Sequence, residues 1–292
     1  MFRPGLLHGF IEGELIAQTP IHVGSGGMEL GPADRPLYKA LLLTAPPSGQ
    51  PARPVIPGSS LKGVVRSVVE AITRSCLRVQ ERELRGMFPR DFAPCDAKDR
   101  TARLCPACRL FGAMGYQGQI RFADGLLRSG KTTILGTPAL FPPRTRASVY
   151  RDHRGNVKGR KFYFHGQPAS GKVPLQVCVP GSVFRLRVDF SNLSEAELGL
   201  LLIGLGQGHS PMDLKLGGAK PVCCGSMEVQ VNKVETREGR SDVLEWAASG
   251  CPENRIRWFD ATRSSLIVTK NFEELQRIWP LESKRECPSV PY

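Results

Sequence analysis

Residues 54–72 read PVIPGSSLKGVVRSVVEAI, and the rest of the chain is understood outward from them. Leu61, Val64, Val65, Val68, Val69 and Ile72 fall at i, i+3, i+4, i+7, i+8 and i+11, one continuous helical face aimed at a core. Pro54 to Ile56 read as a strand end, and Pro57 with Gly58 as the turn into the helix. Ser59 or Ser60 can cap the first turn, which brings free backbone N–H groups, the positive dipole end and Lys62 together. A helix start of this kind is a seat for phosphate. Lys62 and Arg66 lie one turn apart on the flank of the apolar face. The same pattern also describes a plain capped helix carrying two solvated cations.

Charge gives the first functional indication. The 292 residues carry 40 Lys and Arg against 27 Asp and Glu, a net +13. Such a balance suits a polyanionic partner, nucleic acid above all. No apolar run reaches the length of a membrane span, which argues against a membrane role. The first residues, MFRPGLLHGF, lack a secretory h-region, so a cytoplasmic location is expected. In that setting nine cysteines argue for reduced thiols or metal rather than a disulfide scaffold. With 31 Gly and 24 Pro, long loops should separate the regular elements.

Residues 9–23 read as a first strand ended by GSGG at 24–27, followed by an irregular segment at 28–35 with Glu29 and Asp34. A short strand is expected at 37–43, another near 119–127, and a strand pair at 174–179 and 182–190. Ser194-x-x-Glu197 is a capping box opening a second helix to Leu205, and 227–234 alternate as a strand. Asn271-x-x-Glu274 with Pro280 brackets a short helix in the tail. Two helices, each flanked by strands, give an α+β fold with a ferredoxin-like (split βαβ) core. Its domain covers 1–237, with insertions at about 76–116 and about 132–173, and 238–292 form a C-terminal extension.

Two insertions carry chemistry. Cys105-Pro106-Ala107-Cys108 is a CxxC knuckle with Cys95 shortly before it; three thiolates so spaced suit tetrahedral Zn²⁺, and Cys76 is the best-placed fourth ligand. The ion would be structural, stapling a polar insertion with too few apolar residues to fold alone. A redox CxxC is the rival reading, and Cys178, Cys223, Cys224, Cys251 and Cys287 read as ordinary thiols. Residues 128–172 hold ten cations against one acid, Asp152. Within them Arg144, Arg146, Arg151, Arg160 and Lys161 mix with Tyr150, Phe162, Tyr163 and Phe164, cations for phosphates and aromatics for bases. RDHRGNVKGR at 151–160 reads as a hairpin tip between the strand-capable runs SVY and KFYFH. Lys215 and Lys220 add charge to a Gly-rich loop at 204–218 and just beyond it.

PVIPGSSLKGVVRS, CPACRLFG, GRKFYFHG and the LGGAK loop, in this order, resemble the RAMP superfamily of CRISPR proteins. The likeness is greatest to zinc-containing backbone subunits of type III effector complexes and covers about residues 10–235. It implies an RRM-related ferredoxin-like fold that polymerises along a CRISPR guide RNA with further copies or relatives of itself and other effector subunits. A β-hairpin thumb would displace bases in the guide–target duplex. The resemblance also implies metal-dependent cleavage of single-stranded target RNA, with Mg²⁺ or a similar ion. The family's G-x-x-D-x-P context falls on GPADRP, so the catalytic residue would be Asp34. Ser59, Ser60, Lys62, Arg66, Lys220 and, before the catalytic loop, His22 would contact RNA. For His22, a strand-end residue bonded to backbone is an equal reading. Two alternatives remain: a scaffold that binds guide and target without cutting, and a precursor-RNA processing enzyme. The latter ranks third because His8, His22, His153, His165 and His209 form no evident acid–base pair in the sequence.

Overall fold

The computed structural model describes residues 3–31, 37–45, 47, 49–77, 94–96, 103–141, 148–157, 159–238, 252–279 and 285–287. The strand that starts the core, β1 (Leu7–Ala17), alternates as a half-buried strand must: Ile11, Leu15 and Ala17 are buried, with Phe10, Glu12 and Glu14 on the other face. The partners β9 (Val183–Leu193) and β11 (Ser226–Glu238) flank it antiparallel. Phe184, Leu186, Val188 and Phe190 of β9 share the buried face. On the outer face Arg187 pairs with Glu12 at 2.6 Å and lies over the Phe10 ring.

β5 (Ile120–Phe122) and β6 (Gly125–Ser129) pair with the far side of β9. β4 (Val55–Ile56) and β10 (Leu214–Lys215) sit at the two ends, giving the order β10-β11-β1-β9-β6-β4 with β5 beside β9. Every pairing in this sheet is antiparallel. The fold is therefore mixed α+β around a curled antiparallel sheet.

Against the inner face pack α1 (Gly58–Ile72) and α3 (Glu195–Gly204). Leu61, Val65, Val68, Val69 and Ile72 of α1 are buried as the periodicity requires, each worth about 2 kcal/mol relative to exposure. α3 is buried nearly all round, because α4 (Pro252–Ser265) covers the side turned away from α1. Their contact is close at Gly199, where a Cβ would stand 2.2 Å from the Trp258 carbonyl oxygen, so only glycine fits. The expected capping box is present: Glu197 N–H donates to Ser194 Oγ and Ser194 N–H to Glu197 Oε2.

A second sheet, β2-β3-β8-β7, is built from β2 (Gly24–Leu30), β3 (Leu37–Leu41), β8 (Val173–Cys178) and β7 (Thr132–Thr137). Several expectations change here. GSGG does not end a strand but begins β2, an exposed edge strand whose pairing needs no side-chain burial. The strands at 174–179 and 182–190 are no pair: β8 joins this sheet and β9 the core sheet. In the tail, α5 (Thr269–Ile278) starts after Val268, and Asn271 is not its cap but lies inside it, donating to the Ala71 carbonyl.

The hairpin expected at the basic stretch also differs. Among the described residues, Ser148–Tyr150 is a 3-10 turn, Arg151 meets Val157 in one isolated bridge, and 161–165 form no strand. Phe162 packs edge-on to Trp279, which draws this segment inward.

Candidate metal centre and nucleic-acid interface

Beyond α1 the chain turns sharply, and Thr73 Oγ1 lies 2.7 Å from both the Val69 carbonyl and Ser75 Oγ. Ser75 Oγ in turn accepts from Ala107 N–H, which brings Cys76 against α2 (Pro106–Phe111). Cys105 caps α2, its sulfur accepting from Cys108 N–H at 3.4 Å. Cys95 Sγ accepts from Cys105 N–H. The four sulfurs of Cys76, Cys95, Cys105 and Cys108 all lie within 4.8 Å of one another and could hold a metal ion.

The fit to a tetrahedral thiolate site is direct. Sulfurs about 2.3 Å from a shared ion stand roughly 3.8 Å apart; Cys76 Sγ is 3.4 Å from Cys108 Sγ and 3.7 Å from Cys105 Sγ. Without a cation the cluster resists more than one negative charge. Hydrogen bonding with Cys108 and with Cys76 draws the Cys105 thiol far down, while the same contacts with Cys105 push the thiols of Cys76 and Cys108 up. A divalent cation reverses that balance.

Arg66 points to this centre. Its Nη2 donates to Cys108 Sγ at 3.7 Å, its Nη1 to the Gly112 carbonyl at 2.9 Å, and its Nε to Glu70 at 2.7 Å. Arg160 closes on the other oxygen of Glu70 at 2.6 Å. Both arginines are therefore engaged inside the protein.

The start of α1 is not capped by a serine. Pro57 precedes the helix with no side-chain bond, and the free N–H of Gly58 donates to Asp124 Oδ1 at 2.7 Å. A carboxylate from the turn between β5 and β6 thus fills part of the expected phosphate seat. Ser59 is exposed, and Lys62 is half-buried, with its pKa lowered by burial and by Arg66.

What the fold does open beside α1 is a cavity of about 480 Å³. Ser60, Gly63, Val64 and Ser67 form its helical wall. The Gly-rich loop supplies Lys215, Gly217, Gly218 and Lys220, and the basic segment Lys161 and Tyr163. Three lysines and no carboxylate line it among the described residues. Burial lowers both loop lysines, Lys215 to about 7. Lys215 Nζ donates to the Cys223 carbonyl and Ser226 Oγ. Gly217, at φ +83°, could carry no Cβ without meeting the His22 carbonyl at 2.4 Å.

Of the residues expected at RNA, Ser60, Lys161 and Lys220 line this cavity together. His22 does not reach the surface: it is buried, its Nδ1 bonds the Gln176 carbonyl at 2.7 Å, and burial lowers its pKa. Arg151 donates to the Gly155 carbonyl within its own turn. Lys161 lies over the rings of Tyr150 and Tyr163. Asp34, Arg144 and Arg146 lie outside the described residues. Sequence reasoning passed over Asp124, whose partner is set by the tertiary fold, and Glu70, which an i,i+4 spacing from Arg66 could have disclosed.

Two thiols also behave otherwise than expected. Cys223 and Cys287 form a disulfide that ties the tail to the 3-10 turn Lys220–Val222 at the cavity rim. Their separation of 64 residues offered no local spacing to read.

No curated protein matches the chain. A family model described as the RAMP superfamily matches residues 14–227, from β1 to the first residues of β11, and takes in α1, all four clustered cysteines and the lysine-lined cavity wall. The chain belongs to the RAMP superfamily of CRISPR-associated RNA-binding proteins.

Proposed function

We propose that this chain is a guide-RNA-binding backbone subunit of a type III CRISPR effector complex and that it cleaves complementary target RNA. The observation that carries the RNA reading is the cavity beside α1, where the described residues supply three lysines and no carboxylate, with serines and glycines set among Val64, Phe162 and Trp279. Phosphates entering it would meet Lys161, Lys215 and Lys220, while the small residues of α1 and the loop let the backbone come close. An anion there restores the charge that burial opposes on Lys215. Such contacts hold a strand without reading its sequence, as acceptance of any guide requires. Ser59 and Lys62 extend this track along α1, and Arg144, Arg146 and Arg151 belong to the basic segment that would meet the duplex.

The order β11-β1-β9-β5/β6, with α1 and α3 on one face, supports a ferredoxin-like core for residues 1–237. The ion of the four-cysteine cluster is, in this reading, structural zinc, which would fix the knuckle and supply no chemistry.

Cleavage is assigned to Asp34, in the connection between β2 and β3. Its carboxylate would take the proton of the attacking 2′-hydroxyl or hold Mg²⁺, which when bound neutralises charge on the scissile phosphate. The test is target-RNA cleavage by the guide-loaded assembly, wild type beside Asp34→Ala, with Mg²⁺ and with EDTA. Regular cuts that need Mg²⁺ and vanish in the variant, with target binding retained, are expected. Equal cutting by the variant would move catalysis elsewhere and leave a guide and target scaffold.

A further inference from the structure

The motif that suggested an RNA contact at Arg66 has a different use in the fold. The three guanidinium nitrogens reach three separate acceptors: Glu70, the Gly112 carbonyl and Cys108 Sγ. Gly112 is the C-cap of α2, and its own N–H returns to the Cys108 carbonyl at 2.8 Å. One cation therefore grips a sulfur of the cluster and the carbonyl end of the helix that carries it. The pairing is electrostatically apt, since four thiolates around one divalent cation leave an excess of negative charge. Glu70, with its side chain only 10% exposed, sits between Arg66 and Arg160, accepting a hydrogen bond from Arg66 and forming an ion pair with Arg160. The chain Cys108–Arg66–Glu70–Arg160 thus runs from the cysteine cluster to the basic segment.

We propose that Arg66 is a supporting residue of the four-cysteine metal centre and not an RNA contact, and that through Glu70 it docks the basic segment at Arg160. The metal half stands alone; the RNA half rests on the function proposed above.

The test uses the full chain, loaded with Zn²⁺ or Co²⁺ and titrated against a chromophoric chelator. Arg66→Gln is expected to weaken metal binding by about 10- to 100-fold and to perturb the thiolate-to-cobalt charge-transfer bands. Arg53→Gln removes an exposed cation elsewhere and serves as the charge-matched control. Arg66→Lys keeps the charge but cannot span three acceptors, so it too should lose affinity, by less. If Arg66→Gln does not fold, wild-type metal affinity in Arg66→Lys still overturns the proposal. So does wild-type affinity and spectrum in Arg66→Gln. With saturating zinc, RNA binding by Arg66→Gln should keep the wild-type salt slope, while Lys220→Gln should lower it by about 1. A lowered slope in Arg66→Gln overturns the RNA half of the proposal. An unchanged slope in Lys220→Gln would instead count against the RNA cavity, with the metal result still standing.

Discussion

Asp124 shows how a single side chain can redirect a motif. Its carboxylate accepts from Gly58 N–H across 66 residues of sequence, so α1 starts on a protein anion. Replacing Asp124 by Ala should cost about 1 kcal/mol, measured as a lower urea midpoint, and Asp124→Asn should keep most of the loss from appearing. RNA affinity should not fall in either variant, because a negative charge beside the phosphate track is removed. Lys215 makes a second prediction at this scale. Buried and 3% exposed, it is held at about 7 against its ordinary 10.5, so between these values the unfolded chain binds more protons. Stability should therefore rise with pH through that range. Cys178 and Cys224, pushed up to about 11 by burial, act in the opposite sense as pH nears and passes 9, where the unfolded thiols are half ionised, and do so equally in wild type and variant. Between pH 7 and 9 the Lys215 contribution should amount to about 2–3 kcal/mol. Urea titrations at the two values should show that gain in the wild type and most of it gone in Lys215→Met. Equal gains in both would mean that burial does not lower the lysine's pKa and that it keeps its charge across this range.

At the scale of the element, what could be read was what repeats locally. The α1 face and the Ser194–Glu197 box are periodic or short-range, and both appear as expected. The cap of α1, the contacts of Arg66 with Cys108 and Gly112, and the inward pull on Phe162 come from residues far away in sequence, so the pattern carried no trace of them. β2 was hidden for a different reason: a glycine-rich edge strand held by backbone pairing buries no side chains and has no alternation to detect. The cysteine cluster was legible because coordination chemistry fixes the CxxC spacing, and the turn after α1 brings Cys76 to it. α2 has six residues, too few for a helix to persist without tertiary support. Its support comes from the cluster, from Arg66, and from Arg109, whose guanidinium pairs with Glu197 of α3. Chelation of the metal, or Cys105→Ser, should therefore loosen residues 103–111 first. In hydrogen exchange the protection of this segment should drop at least about 10-fold, while β1 and β9 stay protected. Uniform protection after metal removal would make the cluster dispensable to the fold.

For the whole molecule, the tail is where the sequence said least and the structure uses most. Trp258 and Trp279 are each 3% exposed, within the same core as α1 and α3. The chain reaches α5 by pairing Ile267 with Thr73 and donating Val268 N–H to the Ile72 carbonyl. Trp279 Nε1 then bonds the Tyr163 carbonyl, and Gln167 N–H bonds the Arg285 carbonyl, so the tail backs the segment that carries Lys161. Trp258 had no periodic helix around it in sequence because α4 meets α3 through Gly199 and Thr262, small residues that leave little signal. The bond from Cys223 to Cys287 fastens this arrangement at the cavity rim. Closing a loop across 64 residues restricts the unfolded chain by about 4 kcal/mol in the chain-entropy treatment. Thermal unfolding of wild type and Cys287→Ser, each with and without a phosphine reductant, separates this restraint from the packing of the tail. Without reductant the wild type should melt several degrees higher, and reductant should bring it down to the variant, which should not respond. The variant should remain cooperatively folded, because Trp258 and Trp279 still anchor the tail in the core. Identical melting of the two proteins before reduction would leave those tryptophans, and not the disulfide, as the tail's fastening.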